Sequence, residues 1–313
     1  MIVVVGDQLV DVSIRLNSFP LEARQMQTAE TFLVGPGGAG NVAIAAARLG
    51  HDVSCLAEIG SDEFGAIARR GLDAEGVDTT HLAISAGAAT PVAGVLVDAA
   101  GEPAYLGYPG TLRMTSMPLE WGTILQTAEA VYADGWAESV AATAIVVEAL
   151  RRAHADGVPT FFDPGPGNPS LDNEWHRRAL AETRVAILNE SEVRRISGQN
   201  DLLQAARELA KMGPEAVIVK RGANGCLAIR GQEVAESPGF HVPVVDTTGA
   251  GDSVGAAVMS GWLAGLLLPA LATLADAMGA AKVQKQGTGR SMPTREEVRA
   301  VLRGAGHDPD QYV

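Results

Sequence analysis

Asp246-Thr247-Thr248-Gly249-Ala250-Gly251-Asp252 runs straight into a long apolar stretch, and the reading of this segment decides that of the whole chain. It has the pattern of a helix that opens on small residues. Gly249, Ala250 and Gly251 put bare backbone N–H groups at a helix N-terminus, where partial positive charge and unpaired donors bind anions. The small side chains let a phosphate approach the backbone. Asp252 falls in the first turn of the same helix. A carboxylate there is badly placed to bind phosphate but well placed to take the proton of a hydroxyl that attacks it. A lone Asp at that position would only complement the helix dipole. With two glycines and two threonines ahead of it, chemistry is the stronger reading. The chain has no Gly-Lys pair, so the Walker A loop is absent, as is the catalytic loop of protein kinases. Phosphoryl transfer would have to rely on the anion hole.

Working outward, residues 253–275 carry no charge, as a membrane span would. Gly261, Gly265 and Pro269 interrupt the run, which favours two buried helices joined near Pro269. Upstream, strands alternate with helices. The strands are AVYADG (130–135), PTFFDP (159–164), VAILN (185–189), AVIVKRG (216–222) and CLAIR (226–230), with helices near 139–155, 172–182 and 201–212. Ile2–Val5 and Val53–Ile59 read as further strands, and helices are expected after the glycine cluster 35–40 and over Phe64–Ala74. This rhythm predicts an α/β fold, a Rossmann-like, mostly parallel sheet flanked by helices. Two pieces break it. Residues 12–34 read as two strands around the loop Asn17–Ala23, and 87–109 as a hairpin across Ala99-Ala100-Gly101. They are expected to pair as a small β-sheet lid above the core of a single domain spanning 1–313.

Two other motifs compete. Gly35-Pro36-Gly37-Gly38-Ala39-Gly40 is formally a dinucleotide fingerprint, with Glu58 near the place of the ribose acid. That fingerprint normally follows the first strand of its sheet, and here it comes some thirty residues later. The glycines fit equally a place where backbone approaches a ligand, with Asn41 beside it. Gly251-Asp252-Ser253-Val254-Gly255 is formally a nucleophile elbow, followed by Asp276 and His307 in hydrolase order. The chain after Ser253 reads mostly as helix, with too few strands for that fold. A net charge of −13 argues against nucleic acid and anionic membranes as partners. The two cysteines, Cys55 and Cys226, are too few for a disulfide framework or metal cluster, and no signal segment is visible, so a cytoplasmic location is expected.

The motifs, taken in order, resemble the ribokinase-like (PfkB) carbohydrate kinases along almost the whole chain. D-T-T-G-A-G-D resembles the second signature of that family, and GPGGAGNVAIAAARLG (35–50) the first. Gly6-Asp7 through Asp11 resembles its first strand with the sugar-binding aspartate, and IGSDEFG (59–65) is a further family element. Asn189-Glu190-Ser191-Glu192 resembles the N-x-x-E element linked to magnesium and phosphate. Lys220-Arg221-Gly222 with Gly225 resembles the strand and loop beside the nucleotide, and GRSMPTREEV (289–298) the C-terminal segment. The resemblance implies ATP as donor, Mg²⁺ as cofactor and a sugar as acceptor, with a nucleoside or vitamin-precursor kinase on the same fold as the alternative. It implies Asp252 as base and Gly249, Ala250 and Gly251 as anion hole. Asp11, Gly37, Gly38 and Asn41 would hold the acceptor. Asn189, Glu192, Lys220, Gly222, Gly225 and Asp276 would line the nucleotide site, Glu192 organising Mg²⁺ through its waters. Asp246, Thr248 and Ser291 resemble positions that often hold a monovalent cation, K⁺ being the candidate. A homodimer joined through the lid follows from the same resemblance. Two positions depart from it. Only Ala39 and Gly40 separate the glycine pair from Asn41, one residue fewer than ribokinases and fructokinases usually have, and more like heptose-phosphate kinases. Asp276 stands where many members carry asparagine near the adenine.

Overall fold

Four buried aliphatic residues, Ile2–Val5 (β1), send alternate side chains to opposite faces: Ile2 and Val4 join one core, Val3 and Val5 the other. A strand apolar on both faces belongs inside a sheet covered by helices on both sides. The computed structural model places it there. It describes residues 1–313 except 18–20, 22, 25, 137–139 and 167–173; part of the expected loop Asn17–Ala23 and the start of the helix expected near 172 lie outside the described residues.

In chain order, Val10–Leu16 (β2) and Ala29–Pro36 (β3) are followed by the helix Ala39–Arg48 (α1), Val53–Leu56 (β4), Glu58–Gly60 (β5) and the helix Glu63–Ala74 (α2). Ala83–Ser85 (β6), Val92–Val97 (β7) and Pro103–Tyr108 (β8) come next. Helices and strands then alternate: Leu119–Gln126 (α3), Ala130–Asp134 (β9), Val140–Ala155 (α4), Thr160–Asp163 (β10), Glu174–Ala181 (α5), Val185–Asn189 (β11). Two helices, Glu190–Ser197 (α6) and Leu202–Ala210 (α7), lead to Ala216–Lys220 (β12), Cys226–Arg230 (β13) and Glu233–Ser237 (β14). The chain closes with Ala250–Leu263 (α8), Leu268–Val283 (α9) and Arg295–Gly304 (α10).

The main sheet has the order β14-β13-β12-β11-β10-β9-β1-β4, parallel from β12 to β4, with β13 and β14 antiparallel at the edge. Helices α1, α2, α8, α9 and α10 cover one face and α3 to α7 the other. The uncharged run 253–275 resolves into α8 and part of α9, and among the described residues no helix is long and apolar enough to cross a membrane. Both cysteines are buried and unpaired.

The two pieces that break the rhythm form a separate sheet, β3-β2-β7-β8, in which β2 runs parallel to β7 and antiparallel to β3. Its registers align Val12, Ile14, Phe32, Val34, Leu96 and Leu106 on one face and Asp11, Ser13 and Leu33 on the other.

One expected strand is divided. Val53–Ile59 breaks at Ala57, whose carbonyl accepts a hydrogen bond from Ala83 N (2.9 Å). The chain there leaves the main sheet so that β5 can pair with β6. Among the described residues β6, α3, α6, β14 and α10 were not expected from the sequence. Strand β14 is an edge strand with largely exposed side chains, and α6 is too short and polar for a hydrophobic stripe. Asn189-x-x-Glu192 does carry a helix-start signal: it is a capping box.

Candidate active site

Ligands of open α/β sheets bind outside the carboxyl ends of the strands, where the chain leaves neighbouring strands in opposite directions. Here β1 is that strand, with β4 on one side and β9 on the other. The strand ends carry the chemistry. Gly6 and Asp7 follow β1. Asp134 closes β9 and pairs in register with Asp163 at the end of β10; Asn189 closes β11 and pairs with Lys220 at the end of β12.

The segment 246–252 lies over these ends. Gly249 has φ +76° and caps α8, which begins at Ala250. Among the described residues the N–H groups of Gly249 and Gly251 have no hydrogen-bond partner, while that of Ala250 donates to Thr247 O (3.2 Å). Of the three N–H groups expected to bind an anion, those of Gly249 and Gly251 are open among the described residues and that of Ala250 is tied into the turn. Asp246, wholly buried, holds the loop: its carboxylate accepts from Thr248 N (2.9 Å) and Gly287 N (2.7 Å).

Asp252 faces a second set of residues. Asn41 donates from Nδ2 to Asp252 Oδ2 (2.9 Å) and accepts from Gly289 N (3.0 Å). Burial pushes the Asp252 carboxyl up to about 6; Asn41 opposes it, Asp163 adds to it, and Lys220 and Lys282 pull back. Asp11 is buried and accepts from Thr288 Oγ1 (2.6 Å). Burial lifts it to about 7, against the hydrogen bonds from Thr288 and Asn41 and with the help of the Asp252 charge. Asn41 thus stands between two carboxyls, Asp11 and Asp252.

The glycine cluster explains itself sterically. A Cβ on Gly37 would stand 2.4 Å from Asp11 Cγ, and one on Gly38, at φ +56°, 2.3 Å from the Asp7 carbonyl. Gly38→Ala is accordingly expected to cost about 1–3 kcal/mol, read as a lower denaturant midpoint at unchanged slope. A midpoint equal to wild type would show that Asp7 gives way. The same geometry removes the dinucleotide reading: the cluster follows β3 of the small sheet. Glu58 is occupied by Ser85 Oγ and the N–H groups of Arg113 and Met114.

A cavity of about 500 Å³ opens beside the start of α8, lined by Asn189, Lys220, Gly222, Gly225, Gly251 and Asp276 among others. Burial raises Asp276 to about 7, with the Ser237 hydrogen bond and Arg221 opposing. Glu192 lies behind Asn189, both its oxygens accepting from Asn189 N and Nδ2 (2.8 and 2.7 Å). Burial and the Asp163 charge raise its pKa, with Lys220 opposing. Lys220 Nζ, buried and paired with Asp163, stands 3.3 Å from where a Cβ on Gly251 would be. Burial pulls its pKa down, but Asp163 and Glu192 outweigh burial and hold it above its usual value. A larger cleft, about 940 Å³, lies on the other side of residues 238–242, among Gln284, Lys285 and His307; the smaller cavity is the one that meets Gly251.

Ser291 lies in the turn Gly289–Ser291, beside Asp11 and Thr288. Among the described residues it makes no hydrogen bond to Asp246 or Thr248. The hydrolase elbow is not assembled either. Ser253 is fully buried within α8, its hydroxyl donating to Gly249 O (3.0 Å), and the His307 ring bonds Tyr312. Three residues beside the site, Thr288, Lys282 and Asp134, were not singled out from sequence. Thr288 and Lys282 sit outside any motif. Asp134 could have been flagged as an acid closing a buried strand; Asp163 opens Asp163-Pro164-Gly165-Pro166-Gly167, which the sequence offered equally as a border of the site or as a strand-ending turn. Asp134 is buried against Gly6, and burial followed by Asp7 holds it well above the carboxylate range.

A sequence model of the pfkB family carbohydrate kinases matches residues 1–295. An ATP-dependent ribose-1-phosphate kinase of Halopiger xanaduensis is 30% identical over 93% of this chain and 94% of its own. A fructokinase of Klebsiella pneumoniae is 31% identical over 85% and 92%. Among solved structures, a putative ribokinase II of E. coli in complex with ATP and Mg²⁺ superposes with a TM-score of 0.85, covering 97% of this chain and 99% of its own at 23% identity.

Proposed function

The chain belongs to the pfkB family of carbohydrate kinases, and from that premise we propose that it moves the γ-phosphoryl group of ATP to a hydroxyl of a sugar or sugar phosphate with Asp252 as general base. The observation that carries this reading is the position of Asp252. Its carboxylate is bonded to Asn41 and sits one residue after Gly251, which lines the 500 Å³ cavity and whose N–H has no hydrogen-bond partner among the described residues. A hydroxyl held by Asp11 and the backbone of Gly37 and Gly38 would lie within reach of Asp252, which accepts its proton as the oxygen attacks phosphorus. The N–H groups of Gly249 and Gly251, with Lys220 beside them, would stabilise charge on the transferred group. Asp276, with Gly222 and Gly225, would border the base of the nucleotide.

Mg²⁺ fits the residues present. Asp163, Glu192 and Asp252 gather around one buried ammonium, Lys220, an excess of negative charge. Both oxygens of Glu192 keep free lone pairs after bonding Asn189. Among the described residues no group of three or more His, Cys, Asp or Glu could hold a metal; Mg²⁺ would be held through phosphates and water. Glu192 and Asn189 would hold Mg²⁺ through its waters, and the ion would supply positive charge to offset that of the phosphates.

Residues 12–34 and 87–109 would act as a lid excluding water. The hairpin turn rests on the anion-hole loop, Gly101 O accepting from Thr247 N (3.0 Å) and Arg15 Nη1 donating to Val245 O (2.8 Å). The outer face of that sheet leaves Phe32 62% and Leu106 73% exposed, which supports a homodimer closing face on face. Sedimentation would read a dimer, and a monomer after Phe32→Glu. With ATP as donor, the cytoplasm is the fitting location.

The pH dependence tests the base. An Asp with a pKa raised from 3.8 to about 6 is in its basic form only above that value. kcat/KM should therefore be level above about pH 6 and fall about tenfold per unit below it. A profile level down to 3.8 would remove Asp252 from the role.

A further inference from the structure

Lys282, near the end of α9, is 0% exposed although it carries an ammonium. Its Cε stands 3.4 Å from where a Cβ on Gly249 would be, directly behind the anion-hole loop. Nζ donates to Lys285 O (3.0 Å), and among the described residues it forms no direct ion pair. The carboxylates that act on it are Asp246, Asp252 and Asp11. The neighbouring Lys285 is engaged with Glu297 (2.9 Å). A buried ammonium with one carbonyl partner is costly compared with an apolar side chain of the same length, so its charge has a use at this place.

The residues do not fit an exchangeable K⁺. The expected site was Asp246, Thr248 and Ser291, but among the described residues Ser291 bonds neither of the other two, and the Lys282 ammonium already lies against this loop with the Asp246 charge acting on it. A second monovalent cation there would face the Lys282 ammonium in a dry interior, where like charges repel strongly. From these observations we infer that Lys282 is a built-in monovalent cation: it charges the anion-hole loop from behind and makes nucleotide binding and turnover independent of K⁺. The inference rests on the kinase reading above. Burial lowers the Lys282 pKa to about 8, with Asp246 and Asp252 opposing, which leaves the group charged at neutral pH. The hole is thus bracketed by two ammoniums, Lys220 beside Gly251 and Lys282 behind Gly249.

The test measures Mg-ADP affinity by calorimetry and the melting temperature of the whole chain, in K⁺ and in tetramethylammonium at equal ionic strength. Wild type is expected to give the same affinity and melting temperature in both. Lys282→Met is expected to bind Mg-ADP more weakly in tetramethylammonium and to regain affinity in K⁺ or NH₄⁺. Its turnover should fall about 10²–10³-fold, as when a preorganised donor is lost, and recover in the same salts. A K⁺-specific rise in wild-type affinity or melting temperature would overturn the inference without any mutant. A folded Lys282→Met with undiminished affinity in tetramethylammonium would do so as well. Should wild type bind no Mg-ADP in either salt, the kinase reading fails and this one with it.

Discussion

Asp252→Asn is expected to lose about 10²–10⁴-fold in kcat while folding as wild type does. The amide keeps the shape and can still accept the hydrogen bond from Asn41, so positioning survives and only proton acceptance is removed. The sign of the stability change is also set. A carboxyl whose folded pKa lies above its unfolded value weakens the fold at neutral pH, because the unfolded chain holds the charge more cheaply. Removing that charge should leave the melting temperature equal or raise it. A variant with wild-type kcat would show that another group takes the proton. A variant that melts early would show that Asp252 is structural, and its kinetics would then say little.

The second large effect is expected at Lys220. Its side chain is 16% exposed, paired with Asp163 at 10%, and lies close to Glu192 and Asp252. Lys220→Met leaves carboxylates buried without their cation, which typically costs about 3–5 kcal/mol. Removing both partners avoids the stranded charge, so Lys220→Met combined with Asp163→Leu should recover much of the melting temperature. It should not recover nucleotide affinity, because the ammonium beside Gly251 is still missing. Equal stability of the single variant and wild type would mean that water reaches the pair.

The central sheet was legible because its strands are apolar on both faces and alternate with helices. The small sheet was legible because 12–34 and 87–109 lacked that alternation. Signals failed where the chain obeys partners distant in sequence. Nothing local marks Ala57 as the point where β4 gives way to β5; the pairing with 83–85 decides it. Near the candidate site, the helix start at Gly249 to Asp252 could be read because a helix N-terminus is a local object. The role of Asn41 as a brace between Asp11 and Asp252 could not, since those residues lie thirty and over two hundred positions away. Lys282 was hidden for a related reason. A single lysine in an alanine-rich stretch reads as the solvated end of a helix, and only the packing of α9 behind Gly249 buries it.

The account turns on acceptor-dependent phosphoryl transfer, and coupled ADP release from Mg-ATP measures it directly. The panel would hold pentoses, hexoses, their phosphates and nucleosides, with Asp252→Asn run beside wild type. The expected result is ADP release that requires one acceptor class, sugars or sugar phosphates, and that collapses in the variant. Release with nucleosides alone would keep the base and replace the acceptor. Release that ignores both acceptor and Asp252, or an enzyme that binds no Mg-ATP, would contradict the account.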